Sequence, residues 1–108
     1  MSARIGLARI EDVVEGQPLA VQPEGFGPLA VYRAGDEFFV TSNVCTHGLA
    51  MLTDGDQDGA VIECAFHGGT FDLRTGAALS FPCTVALKTF PVTLEDGQVC
   101  IDAPEVAK

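Results

Sequence analysis

Cys45 and His47, then Cys64 and His67, are the residues of this chain whose types and spacing could do chemistry. They come as two clips, Cys-Thr-His-Gly from 45 to 48 and Cys-Ala-Phe-His-Gly-Gly from 64 to 69, with sixteen residues between His47 and Cys64. Two thiolates and two imidazoles delivered on two loops form a metal-ligand set. A zinc finger of the Cys₂His₂ kind keeps its cysteines in one clip and its histidines in the other. Here each clip holds one of each, an order that suits a two-iron, two-sulfide site with sulfur ligands on one iron and nitrogen ligands on the other. A tetrahedral zinc and a chance cluster of loop residues, with the cysteines as small core hydrophobes, are the competing readings. Both histidines of the chain and two of its four cysteines fall in these clips, which weighs against chance. Gly48, Gly68 and Gly69 could take positive φ and bring backbone N–H groups close to sulfide, or they could be ordinary turn residues.

The elements that must position these clips read as short strands. Ile5 and Leu7 alternate as in a first strand, Glu11 to Gly16 reads as a turn or one helical turn, and Leu19 to Val21 as a second strand. Leu29 to Arg33 and Glu37 to Thr41 flank Gly35-Asp36, a hairpin signal. Ala60 to Glu63 leads into the second clip and Gly69 to Leu73 leads out. Val85 to Phe90, Val92 to Leu94 and Val99 to Asp102 complete the chain, with Asp96-Gly97 marking the last hairpin. Helical periodicity is missing, so the fold class is all-β, a small antiparallel sandwich or barrel. Thr53 to Gly59 carries Asp54, Asp56 and Asp58 at alternate positions. Ala65 stands where an EF-hand loop needs its bidentate Glu, so the calcium reading fails and a solvated loop is expected.

At 108 residues the chain is expected to form one domain, residues 1–108, whose modest core a metal cluster would staple. No run approaches the roughly 18 apolar residues of a membrane span, and the first residues lack a signal-peptide core. The expectation is a cytoplasmic protein. Fifteen acidic against six basic residues leave a net charge of −9, too few cations to neutralise nucleic acid or an anionic membrane. The acidity serves solubility, or it steers encounters with basic patches on partners; both readings stand. Cys83 and Cys100 are expected as buried free thiols, the reducing cytoplasm arguing against a disulfide.

The pattern Cys-x-His, sixteen residues, Cys-x-x-His resembles the Rieske family. The whole chain is similar to Rieske-type ferredoxins of bacterial aromatic-ring-hydroxylating dioxygenases. The likeness runs through the clips, Phe-Asp-Leu-Arg-Thr-Gly at 71 to 76, the Pro82 loop and the Asp96-Gly97 hairpin. It implies the Rieske iron–sulfur fold, with a cluster-binding subdomain of two loops at about 43–52 and 62–72. It implies one [2Fe-2S] cluster, held by Cys45 and Cys64 on one iron and by His47 and His67 on the other. The function implied is one-electron transport, from an NAD(P)H-dependent flavin reductase to a terminal oxygenase. Both partners would bind transiently and the carrier would be a monomer, without catalysing substrate chemistry itself. The alternative is a Rieske-like small subunit of a larger oxidoreductase, such as assimilatory nitrite reductase.

The resemblance also suggests how the site is tuned and approached. Leu49, Ala50, Met51 and Leu52 either rim the histidine edge for docking or send half their side chains inward. Pro82 would lie in a loop over the cluster. Phe66 and Phe71 would exclude water or simply fill the core, and Asp72 and Arg74 would serve a turn and a salt bridge. High-potential relatives carry an extra cysteine pair where Ala50 and Phe66 stand here, and hydroxyl donors where Gly69 and Phe71 stand. Hydrogen bonds to the sulfurs stabilise the reduced, more negative state. Their loss predicts a midpoint potential near the bottom of the Rieske range, about −150 mV, in a spectroelectrochemical titration; a value above roughly +100 mV would contradict it.

Overall fold

The computed structural model describes residues 4–23, 26–45, 50–65, 68–80 and 85–102. The chain order is β1 (Arg4–Arg9), β2 (Leu19–Val21), β3 (Leu29–Ala34), β4 (Glu37–Ser42), β5 (Asp56–Asp58), β6 (Val61–Glu63), β7 (Thr70–Asp72), β8 (Thr89–Phe90), β9 (Thr93–Glu95) and β10 (Gln98–Asp102). Single 3₁₀ turns fall at Ile10–Asp12 and Leu52–Asp54. The strands form three antiparallel sheets among the described residues, ordered β1-β10-β9, β2-β3-β4-β8 and β5-β6-β7.

The β3–β4 hairpin lies between two cores, and its sequence says why. Leu29-Ala30-Val31-Tyr32 is an unbroken apolar run, and all four residues are buried, the pattern of a strand covered on both faces. Successive side chains point to opposite faces, so the run splits in two. Leu29 and Val31, with Val40 of β4, join Val13, Val99 and Ile101 in one core. Ala30 and Tyr32 join Cys45, Leu52, Ile62, Cys64, Phe71, Leu73 and Leu87 in the other. Burying one such aliphatic or aromatic side chain contributes about 1.5–3 kcal/mol, so the hairpin welds the base of the molecule to the sheet β5-β6-β7. Tyr32 carries a hydroxyl into the second core, where its Oη lies 2.9 Å from Thr41 Oγ1. Thr41 Oγ1 in turn donates to Ser42 O at 2.8 Å, so the Tyr32 hydroxyl donates to Thr41. Burial pushes the Tyr32 phenol well above its ordinary value despite that bond.

Turn chemistry sets the registers. Gly35-Asp36 closes β3 on β4, pairing Ala34 with Glu37 and Tyr32 with Phe39. Asp96 and Gly97 both take positive φ, 54° and 76°, as a type I′ hairpin requires. Three expectations change. The aspartate-bearing stretch is not a loop: Asp56–Asp58 is strand β5, because Gln57 pairs with Ile62 across to β6. Of Val85 to Phe90 only Thr89–Phe90 is strand. Its earlier part is shared out, Leu87 N–H donating to Gly76 O and Lys88 O accepting from Ser42 N–H. The next strand begins at Thr93, not Val92.

Cys100 on β10 is a free, buried thiol, and Cys83 lies outside the described residues. Burial and then the Glu95 carboxylate raise the Cys100 thiol above its usual range. Arg74 pairs with Glu37 and lies over the Phe39 ring, while its backbone N–H donates to Asp72 Oδ1 at 2.8 Å. These are the turn and salt-bridge roles expected of Asp72 and Arg74.

Gly76 is where the two halves close. It is buried with φ at +82°, and a Cβ there would stand 2.1 Å from Leu87 O, a backbone atom. Gly76→Ala is expected to lower unfolding stability in urea by more than the ~1–2 kcal/mol of the left-handed conformation alone, because Leu87 must also move. Gly35→Ala, at +63° with open space around it, should lose only that conformational term.

Candidate metal centre

β4 ends at Ser42 and the chain runs through Asn43 and Val44 into the first clip. Val44 pairs with Met51, Leu52 N–H donates to Asn43 O at 2.7 Å, and Cys45 N–H donates to Ala50 O at 2.9 Å. The second clip closes the same way. Cys64 N–H donates to Gly69 O at 2.8 Å and Gly68 N–H to Cys64 O at 3.2 Å, between β6 and β7. In both clips the cysteine N–H reaches the carbonyl five residues on. Each bond therefore encloses four residues, 46–49 and 65–68, and each four contains one histidine. His47, Gly48, Leu49, Phe66, His67 and Pro82 lie outside the described residues.

Cys45 and Cys64 are 2% and 1% exposed. Nineteen positions apart in sequence, they are brought into one packed group with Tyr32, Leu52, Ile62 and Phe71. Two cysteine sulfurs withdrawn from water, each two or three positions before a histidine in the chain, are a soft donor set. The donor set and its apolar shell fit an iron–sulfur group. Gly68 takes φ +76° and Gly69 is buried, in keeping with close backbone approach. Among the described residues no group of three or more His, Cys, Asp or Glu could hold a metal ion.

The apolar stretch after His47 divides. Leu52 is fully buried, Ala50 packs against the core and Met51 is 37% exposed, so Leu52 points inward and Met51 reaches the surface. Phe71 is fully buried in the cysteine-bearing core. The outward face of β5-β6-β7 is acidic. Asp56 stands directly opposite Glu63, an unfavourable like-charge pair, and Asp58 and Asp72 share their face by alternation. The Glu63 carboxylate also leans over Gly68, where a Cβ would be 3.2 Å from Oε2.

Two contributors escape a reading by ligand type. Asn43 is a buried polar residue at the root of the first clip, and Gly55 sits against the entry to the second. A Cβ on Gly55 would be 1.9 Å from Glu63 O and 3.2 Å from Ala65 N, the backbone on either side of Cys64. The calcium-like run Asp54-Gly55-Asp56 was a signal for a tight passage there, though not for its neighbour.

A family model of the Rieske [2Fe-2S] domain matches residues 4–91. The chain is 44% identical over 99 residues to the ferredoxin component of the p-cumate 2,3-dioxygenase system of Pseudomonas putida, covering 91% of this chain and 84% of that protein. Among solved structures it resembles a Sphingomonas yanoikuyae B1 ferredoxin with TM-score 0.92 and 57% identity, over 94% of this chain and all of that one. It also resembles, with TM-score 0.87 and 42% identity, a chain in a complex of reduced oxygenase and oxidized ferredoxin in carbazole 1,9a-dioxygenase, over 97% of each. In this chain no helix of the described residues is long and apolar enough to cross a membrane.

Gly55→Ala must push back the backbone that carries Cys64. It is expected to leave purified protein with less iron and sulfide per chain than wild type. Gly59→Ala, at φ +60° with nothing within 4 Å, should keep full loading while losing ~1–2 kcal/mol of stability.

Proposed function

The chain belongs to the Rieske [2Fe-2S] domain family and, from that premise, we propose that it is the one-electron carrier of an aromatic-ring dioxygenase system. One Rieske domain over residues 1–108 would hold the cluster between loops 43–52 and 62–72. Cys45 and Cys64 would bind one iron, His47 and His67 the other. The cluster supplies reversible uptake of a single electron; the protein supplies shielding, potential and an approach for partners. Those partners are a flavin-dependent NAD(P)H reductase and a terminal oxygenase, met in turn by a cytoplasmic monomer. The carrier is not an enzyme, and its partner oxygenase selects the aromatic substrate.

The observation that carries this reading is the end-to-end likeness to a chain in an oxygenase–ferredoxin complex, 97% of each chain being covered. The surface agrees with it. Met51, Leu79 and Val85 are 37%, 52% and 61% exposed; Met51 follows segment 46–49, and Leu79 and Val85 flank segment 81–84. Leu79 is fastened to the second clip's exit, its N–H donating to Thr70 O at 2.8 Å. Exposed apolar side chains beside the clips, as Met51 and Leu79 are, suit a docking that must form and dissolve quickly. The acidic flank would add attraction at long range that salt weakens.

Protein reduced in isolation should support turnover when mixed with a terminal oxygenase, without a permanent stoichiometric complex. His67→Ala should abolish the Rieske electron paramagnetic resonance signal and Asp56→Ala should leave it unchanged. An intact signal in the histidine variant would remove the ligand assignment.

A further inference from the structure

We propose that buried Asn43 and half-buried Thr53 form the clasp that positions the first ligand clip, so that both residues act as positioning residues for the iron centre. The inference rests on the ligand assignment above. Asn43 Nδ2 donates to Thr53 Oγ1 at 3.1 Å, and Thr53 N–H donates to Asn43 Oδ1 at 2.9 Å. Between these two residues run the whole first clip and its short ladder. The ladder bonds, Cys45 N–H to Ala50 O and Leu52 N–H to Asn43 O, would end in a fraying pair of strands. The two side-chain bonds continue them for one more step and close the loop's root as a ring.

Placement argues that the clasp does more than fill space. Asn43 is 2% exposed, and Thr41 and Asn43 are the two buried polar residues among those described. Thr41 serves Tyr32 within the β3–β4 hairpin. A polar side chain so deep costs free energy unless it is bonded, and leucine would fill the volume without that cost. Asn43 instead spends its amide on the far end of the clip, while its backbone N–H donates to Pro28 O at 2.9 Å. The first clip is thereby referred to the base sheet, not merely to itself.

The second clip is built differently. Its exit is tied by Thr70 Oγ1 and Ser80 Oγ at 2.8 Å, with Thr70 N–H donating to Ser80 Oγ at 3.1 Å, and those bonds are exposed. Water can replace an exposed bond at small net cost, whereas a buried donor stripped of its acceptor keeps its full desolvation penalty. The tie at the first clip is therefore the costlier of the two to break.

The test uses the cluster-loaded protein and four variants, Thr53→Val, Thr53→Ser, Asn43→Leu and Ser80→Ala. The readouts are the g values of the dithionite-reduced protein and the rate of iron release to a ferrous chelator under native conditions. Melting temperatures are recorded separately. Thr53→Val keeps the side chain's shape and removes the acceptor of the Asn43 amide. It should release iron about tenfold faster and shift or broaden the g values. Asn43→Leu should do at least as much; Thr53→Ser and Ser80→Ala should stay close to wild type. Wild-type g values and release rate in Thr53→Val overturn the inference whatever its melting temperature, and that variant decides alone if Asn43→Leu does not fold. Equal acceleration by Ser80→Ala overturns the distinction between the clips. A wild-type protein without the Rieske signal overturns the ligand assignment and the inference together.

Discussion

Everything at the metal end of this protein depends on one repeated constraint: a cysteine N–H bonded to the carbonyl five residues further on. It appears at Cys45 with Ala50 and at Cys64 with Gly69, and it fixes how many residues each loop holds. The constraint is local, but it is useful only because β4 and β6 deliver the two cysteines to one core. That delivery follows from the β3–β4 hairpin, whose alternating side chains enter both hydrophobic groups. The base sheet, the hairpin and the cysteine-bearing sheet thus form one chain of packing, in which the clips are the last link.

Charge is arranged against that link. Glu63 leans over Gly68, and Asp56 faces Glu63 across β5 and β6. With the cluster held as proposed, negative charge beside it would disfavour the reduced form, as would the absence of a hydroxyl at Phe71 and Gly69. Both would act in the direction of a low potential. Tyr32 does not restore the donor, since its hydroxyl is held by Thr41.

Much of this was legible in the sequence, for identifiable reasons. Metal ligation depends on side-chain type at short spacing, so Cys45, His47, Cys64 and His67 stand out without any fold. Strands β3, β4 and β10 declare themselves by apolar runs between Gly-containing turns. What stayed hidden depends on partners distant in the chain. Asp56-Gln57-Asp58 looks solvated until Ile62 takes Gln57 as its cross-strand neighbour. Leu52 looks like part of a docking rim until the 3₁₀ turn carries it into the core. Asn43 and Thr53 are ordinary polar residues ten positions apart, and Gly55 is one more turn glycine until Glu63 passes beside it. Close approach and buried pairing are properties of two segments at once, and one segment's composition does not encode them.

The facing carboxylates of Asp56 and Glu63 carry a consequence for the conditions in which the molecule is handled. Dissolved ions mute their repulsion, so brine consolidates the very sheet from which the second clip springs. The same ions blunt any pull the acidic flank exerts on a basic partner. Under the steering proposed above, robustness and speed of encounter respond oppositely to ionic strength, so the buffer that best steadies the sheet is also the one that slows the meeting of partners.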